Sequence, residues 1–148
     1  KLIIMKIRLF LLSLVFCCSL NAQSTNTVFP QIIVEVQGKS LGLEYANSFE
    51  LRSQGLMYRK SMCSDCGMLF NFNQIKTAGM WMRNTFIPLD VAFIRKDGTI
   101  TDIKAMTPHD ESTTSSSEKV LYAWEMNQGW FKRNNIVVGD KVSIKETE

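Results

Sequence analysis

Long apolar runs, surplus charge and histidine are all scarce in this chain. The longest apolar stretch, Leu9 to Leu20, has 12 residues. As a helix it reaches about 18 Å against a hydrocarbon core of roughly 30 Å, too short for a comfortable span. The formal charge of +3 comes from 17 Lys+Arg against 14 Asp+Glu, and Lys1, Lys6 and Arg8 precede residue 23 with no acid among them. Without those three the chain carries 14 charges of each sign. The electrostatic footprint for nucleic acid or an anionic membrane is therefore missing. No Gly-rich phosphate loop follows a strand pattern, which argues against nucleotide binding, and no G-x-S-x-G elbow supplies a hydrolase serine. Outside the leader only one cysteine pair remains, Cys63 and Cys66, too few for a four-ligand zinc site.

What is present describes one ordinary globular domain: 148 residues, 45% hydrophobic, 21% charged, mean hydropathy −0.03. Residues 1–22 read as a cleaved signal peptide, with Met5, Lys6 and Arg8, the apolar stretch, then Asn21-Ala22 at the cleavage site. This predicts a periplasmic or secreted protein with no transmembrane span after cleavage. The alternative is a lipoprotein anchored through Cys17 or Cys18, which the bulky Phe16 disfavours. Residues 23–30 read as a linker and 31–145 as a single β-rich domain.

Within that domain, Ile32, Val34 and Val36 alternate with Ile33, Glu35 and Gln37 in a strand pattern. Gly38-Lys39 then turns the chain into a second strand through Leu41, Leu43 and Tyr45. Asn47 with Glu50 resembles a capping box and predicts a helix from Ser48 to Gly55 carrying Arg52. Met68–Phe70, Gly79–Arg83 and Val91–Arg95 read as short separate strands. Asp97-Gly98 is the clearest hairpin signal. Residues 110–118 read as a polar loop, Val120–Met126 as a strand, Gln128–Asn134 as a short helix and Ile136–Ile144 as a closing strand pair. The expected fold is mainly β (α+β), a small β-sandwich or jelly-roll-like domain with about eight short strands and two short helices.

The stretches Arg52-Ser-Gln-Gly-Leu-Met-Tyr-Arg59, Gly67-Met-Leu-Phe70, Met80-Trp-Met-Arg-Asn-Thr-Phe-Ile-Pro-Leu-Asp90, Ala123-Trp-Glu-Met-Asn-Gln-Gly-Trp130 and Val138-Gly-Asp-Lys-Val142 resemble those of the family called domain of unknown function 192. The resemblance implies a compact jelly-roll-type β fold, often behind a signal peptide, with no established activity, cofactor or partner. Where members usually carry acidic or proline-containing loops before Gly67, this chain has Cys63-Ser-Asp-Cys66. A site on those cysteines would be local to this branch.

Three sets of residues could carry chemistry. Cys63 and Cys66 form a C-x-x-C that, in an oxidising compartment, predicts a loop-stapling disulfide; thioredoxin-like redox work lacks its βαβ context. The same cysteines with Met62, Met80 and Met82 make a soft-donor set for Cu(I), with Met57 and Met68 nearby, against the alternative that Met fills core gaps. No other cofactor is expected. His109, beside Asp110, reads as an exposed turn residue more readily than as a general base. The strongest candidates are polar and aromatic residues inside apolar motifs: Arg52, Arg59, Trp81, Arg83, Asn84, Thr85, Asp90, Glu125 and Asn127. Such groups need partners. They form either a structural network, in which Arg52 reaches Asp90 and Asp90 bonds loop amides, or a pocket for a small polar ligand. Asp90 with Glu125 could in principle serve a glycosidase-like hydrolase. The functional expectation is a non-catalytic binding or accessory module, its partner a small polar ligand or a protein. A Cu(I)-handling protein and a small hydrolase are the alternatives.

Overall fold

The computed structural model describes residues 27–146. The expected leader, its candidate lipid-bearing cysteines and residues 23–26 of the linker lie outside the described residues. The rest of that linker is already part of the fold, because Phe29 is buried and the Pro30 carbonyl accepts a hydrogen bond from Tyr45 N–H at 2.7 Å.

Seven strands and two short helices follow in the order β1 (Gln31–Val36), β2 (Lys39–Ala46), α1 (Phe49–Gln54), β3 (Gly67–Met80), β4 (Leu89–Ile94), β5 (Ile100–Met106), β6 (Thr114–Asn127), α2 (Trp130–Arg133) and β7 (Val142–Glu146). The mainly β expectation holds. The strands form one mixed sheet, ordered β5-β4-β6-β3-β2-β1-β7, in which only the β2–β3 pair is parallel. That crossover is made through α1, since parallel neighbours cannot be joined by a tight turn. The sheet curls until its edges meet: Thr99, just before β5, bridges Lys141, just before β7. Val142 N–H donates to the Gly98 carbonyl at 2.8 Å, and Ile100 N–H to the Asp140 carbonyl at 3.0 Å.

Curling gives the sheet two unlike faces. Ile94 and Ile100 from one end of the strand order pack with Ile32, Val34 and Val142 from the other, so this face is the concave interior. It is filled by Leu43, Leu69, Trp124 and Met126 and plugged by Trp130 and Phe131 of α2. On the convex side Met68, Phe70, Phe72, Leu89, Val91, Phe93 and Ala123 form a second cluster, covered by Leu56, Met80, Met82 and Ile87. Every residue of β4 is buried, as expected of a strand packed on both faces.

Several local expectations shift. Met68–Phe70 and Gly79–Arg83 are not separate strands; β3 runs continuously from Gly67 to Met80 and bulges between Asn71 and Lys76. The bulge is held by Asn73, at φ 60°, whose N–H donates to Asn71 Oδ1 and whose Nδ2 donates to the Asn47 carbonyl, both at 2.8 Å. The polar loop is shorter than expected, because Thr114 onward pairs with the end of β3. The closing strand pair reduces to β7, with turns before it. The helix cap is Ser48 rather than Asn47: its Oγ accepts from Leu51 N–H at 3.2 Å. The first hairpin turns at Gln37-Gly38, both with positive φ, one position before the expected Gly38-Lys39.

Candidate functional site

Strand alternation decides which way the polar residues of β6 point. Trp124 and Met126 belong to the concave cluster and Ala123 to the convex one, so Glu125 faces the convex side, between its cross-strand neighbours Met68 and Val91. There α1, the turn after it, the bulged half of β3 and the segment 79–85 stand off from the sheet and enclose a cavity of about 450 Å³. Leu56, Phe70, Phe72 and Met80 form its apolar walls, while Phe49 and Trp81 are exposed aromatics at its rim.

The floor is Glu125, 3% exposed and lining the cavity. No hydrogen bond or ion pair engages its carboxyl among the described residues, and burial alone pushes its pKa from 4.5 up to about 8. It is therefore a neutral carboxylic acid at pH 7, with a proton to donate and a carbonyl oxygen to accept. Thr85, 4% exposed, lines the same cavity, and its hydroxyl donates to the Arg83 carbonyl at 3.3 Å. Arg52 lines the α1 side and donates from Nη1 to the Asn71 carbonyl at 2.8 Å. Lys76 projects from the bulge, its Nζ 4.7 Å from the Phe72 ring centroid.

Four of the nine sequence candidates thus converge: Arg52, Trp81, Thr85 and Glu125. The others hold the fold. Arg59 forms a two-pronged ion pair with Glu44, its Nη1 reaching Oε1 at 2.9 Å, and lies over the Phe29 ring. Arg83 lies over Trp81 on the exposed side. Asn84, left-handed at φ 53°, accepts from Tyr58 N–H at 2.8 Å and donates from Nδ2 to Tyr58 Oη at 3.0 Å. Asn127 Nδ2 donates to the Cys63 carbonyl at 2.7 Å. The expected Arg52–Asp90 pair does not form. Asp90 shares the concave face with Ala92 and Ile94 and accepts the Gly129 N–H at 2.7 Å, while Arg52 lies on the convex side. The same separation by the sheet keeps Asp90 and Glu125 from acting as a carboxylate pair.

Cys63 and Cys66 are disulfide-bonded, with Cα atoms 5.1 Å apart, and as a disulfide offer no thiolate to a metal. Met62 is half-buried, whereas Met80 and Met82 are buried in the convex cluster. His109 is exposed and stacks 5.1 Å from Phe86. Sequence reasoning missed Gln74 and Lys76, which reach the cavity only because β3 bulges. Asn71 and Asn73, spaced to make an Asx turn inside a strand pattern, were the available signal.

The family model of domain of unknown function 192, described as "Uncharacterized ACR", matches residues 32–144. The chain belongs to the DUF192 family. The match runs from within β1 to within β7 and includes every residue of the cavity lining. Two solved structures are similar to this DUF192 chain. One, from Sinorhizobium meliloti and described as a candidate transcription regulator, has 39% identity and a TM-score of 0.75 over 79% of this chain and 95% of that one. The other, a protein of unknown function from Novosphingobium aromaticivorans, has 30% identity and a TM-score of 0.71 over 82% of this chain and 89% of that one. No curated protein matches.

Proposed function

We propose that this DUF192 protein is a non-catalytic small-molecule-binding module that works outside the cytoplasm. The observation that carries the binding role is Glu125: a 3% exposed acid, without a partner among the described residues, at the floor of a cavity of about 450 Å³. Burying an acid without a hydrogen bond is costly, and selection for a stable fold alone would favour an apolar residue there. A ligand group reaching Glu125 would satisfy it. The volume is in the range of small-molecule sites, and its lining is shared about equally between apolar side chains and polar groups. Binding is favoured over turnover because Glu125 has neither a nucleophile nor a second carboxylate hydrogen-bonded to it. Action outside the cytoplasm is supported by the leader pattern of residues 1–22 and by a disulfide in the mature domain. For the Sinorhizobium protein a regulator's role is named; in this chain the balanced charge favours sensing a small molecule over contacting nucleic acid.

The test uses the three tryptophans, of which Trp81 alone lines the cavity, while Trp124 and Trp130 are packed in the concave interior. A small-molecule fragment library titrated into ¹⁵N-labelled protein is expected to yield binders that shift the Trp81 indole resonance and leave the other two in place. Glu125→Met is expected to weaken those binders without unfolding the chain. An absence of binders, or binders that perturb only the concave tryptophans, would overturn the proposal.

A further inference from the structure

Described cations outside the cavity either pair with a carboxylate or, like Lys60, Lys119 and Arg133, stand exposed to solvent; those of the cavity do neither. Arg59, Arg95, Lys104, Lys141 and Lys145 each face a carboxylate within 4 Å. Arg52 and Lys76 do not: among the described residues no carboxylate lies within ion-pair distance of either. Arg52 uses one N–H on the Asn71 carbonyl, and Lys76 rests over the Phe72 ring. Glu50, two residues from Arg52 on the same helix, is held below its usual range chiefly by hydrogen bonds from its own backbone N–H and from Ser48, with Arg52 a minor contributor, and the two form no ion pair within 4 Å. Both cations are half-buried against the cavity. The second concavity, of about 430 Å³, differs because its Lys141 is paired with Asp97, its Glu35 with Lys145, and its other cation, Lys39, is exposed to solvent.

Polarity is therefore arranged along the cavity. Glu125 is paired with Met68 in the sheet register, while Arg52 is anchored at Asn71, three residues further along β3. At about 3.3 Å per residue that separates the two ends by on the order of 10 Å. One end presents two half-buried cations outside any ion pair and the other a buried acid without a hydrogen-bond partner among the described residues, with phenylalanine and leucine walls between them.

We propose that the ligand is a small organic acid with an apolar body, its carboxylate held by Arg52 and Lys76 and its far end, carrying a hydroxyl or carbonyl, bonded by Glu125. The inference rests on the binding role proposed above and specifies its ligand class. A planar guanidinium suits a carboxylate, and a charge-assisted hydrogen bond there is stronger than a neutral one. A ligand amine at that end would meet two like charges. The neutral state of Glu125 at pH 7 fits it to donate to a ligand oxygen without repelling the anion at the opposite end.

Calorimetric titration at pH 7 with hydrocinnamate, hydrocinnamamide and phenylpropylamine tests the head group, since the three share a body and differ in charge. Hydrocinnamate is expected to bind at least about tenfold more tightly than the amide or the amine. Arg52→Gln and Lys76→Gln are each expected to weaken it about tenfold, and both positions are exposed enough for the variants to fold. Phloretate, which adds a terminal hydroxyl, is expected to bind more tightly than hydrocinnamate, and Glu125→Met to erase the difference. Equal or tighter binding of the amide or amine would overturn the organic-acid assignment while leaving the binding role standing. The assignment also falls, and the binding role also stands, if none of the three binds but the fragment library yields cavity binders. An empty library as well would overturn both.

Discussion

At the residue scale, Glu125 makes folding depend on pH in an uncommon direction. Its carboxyl titrates at 4.5 in an unfolded chain and at about 8 in the folded one, so the folded state holds a proton that the unfolded state releases between those values. The sign follows: stability is greatest below pH 4.5 as far as this group is concerned, and it falls as pH rises to about 8. The steepest slope is about 1.4 kcal/mol per pH unit. The groups facing Glu125 do not offset this, because Met68 and Val91 are apolar, Thr85 is neutral, and Arg52 is engaged at Asn71. Urea unfolding from pH 5 to 8 is expected to show a falling midpoint in the wild type and a flatter profile in Glu125→Met. That variant is also expected to be the more stable of the two at pH 8, as when a residue kept for binding is replaced by one that only packs. A less stable Glu125→Met at pH 8 would mean that the acid serves the fold. Asp90 is the contrasting case. Its carboxylate satisfies the Gly129 N–H in a buried setting, so Asp90→Ala is expected to cost about 1–3 kcal/mol and to leave ligand binding unchanged, as read by denaturation and calorimetry. Both acids stood out in the sequence as charges inside apolar motifs. Which would be satisfied was not legible, because that depends on which face of the sheet each occupies.

At the element scale, the site exists because β3 is irregular. A regular strand would have kept Phe72 and Gln74 in the sheet register; the bulge between Asn71 and Lys76 takes them out of the ladder and shifts Lys76 to pair with Val120, and all three line the cavity opposite α1. The same irregularity made β3 read as two strands, since the alternation of Met68, Phe70 and Phe72 breaks at Asn73. Helix α1 was legible to within a residue at its start, since a serine cap followed by an amphipathic turn is a local signal. It buries no residue of its own, and only Leu51 packs partly against the convex cluster. The Cys63–Cys66 turn belongs to another part of the molecule: Asn127 bonds the Cys63 carbonyl, and Trp130 Nε1 donates to Asp65 at 2.8 Å. Closing so short a loop stabilises by about 2 kcal/mol on the chain-entropy model. Replacing both cysteines by serine is expected to lower stability by about that amount in urea, with hydrocinnamate affinity unchanged. A loss of affinity would tie the disulfide to the site.

At the scale of the whole molecule, one curled sheet separates a closed interior from an open cavity on its convex side. The closure depends on backbone contact at Gly98, where φ is +83° and a Cβ would lie 2.2 Å from the Val142 carbonyl oxygen. Gly98→Ala is expected to destabilise the protein by about 1 kcal/mol or more and to raise amide exchange in β5 and β7 before β3 and β6. Uniform protection across the sheet would contradict that order of opening. The β-rich class and the Asp97-Gly98 hairpin were legible because alternation and turn chemistry are local. The strand order, the meeting of β5 with β7 and the two-sided burial of β4 were not, since they come from pairings distant in the chain. Binding role, ligand class and pH dependence all hang on a neutral acid at the floor of the cavity. Its most direct test is a pH titration of the ¹³C carboxyl resonance of Glu125 in the free, folded protein: a midpoint near 8 is predicted, and a midpoint near 4.5 would contradict it.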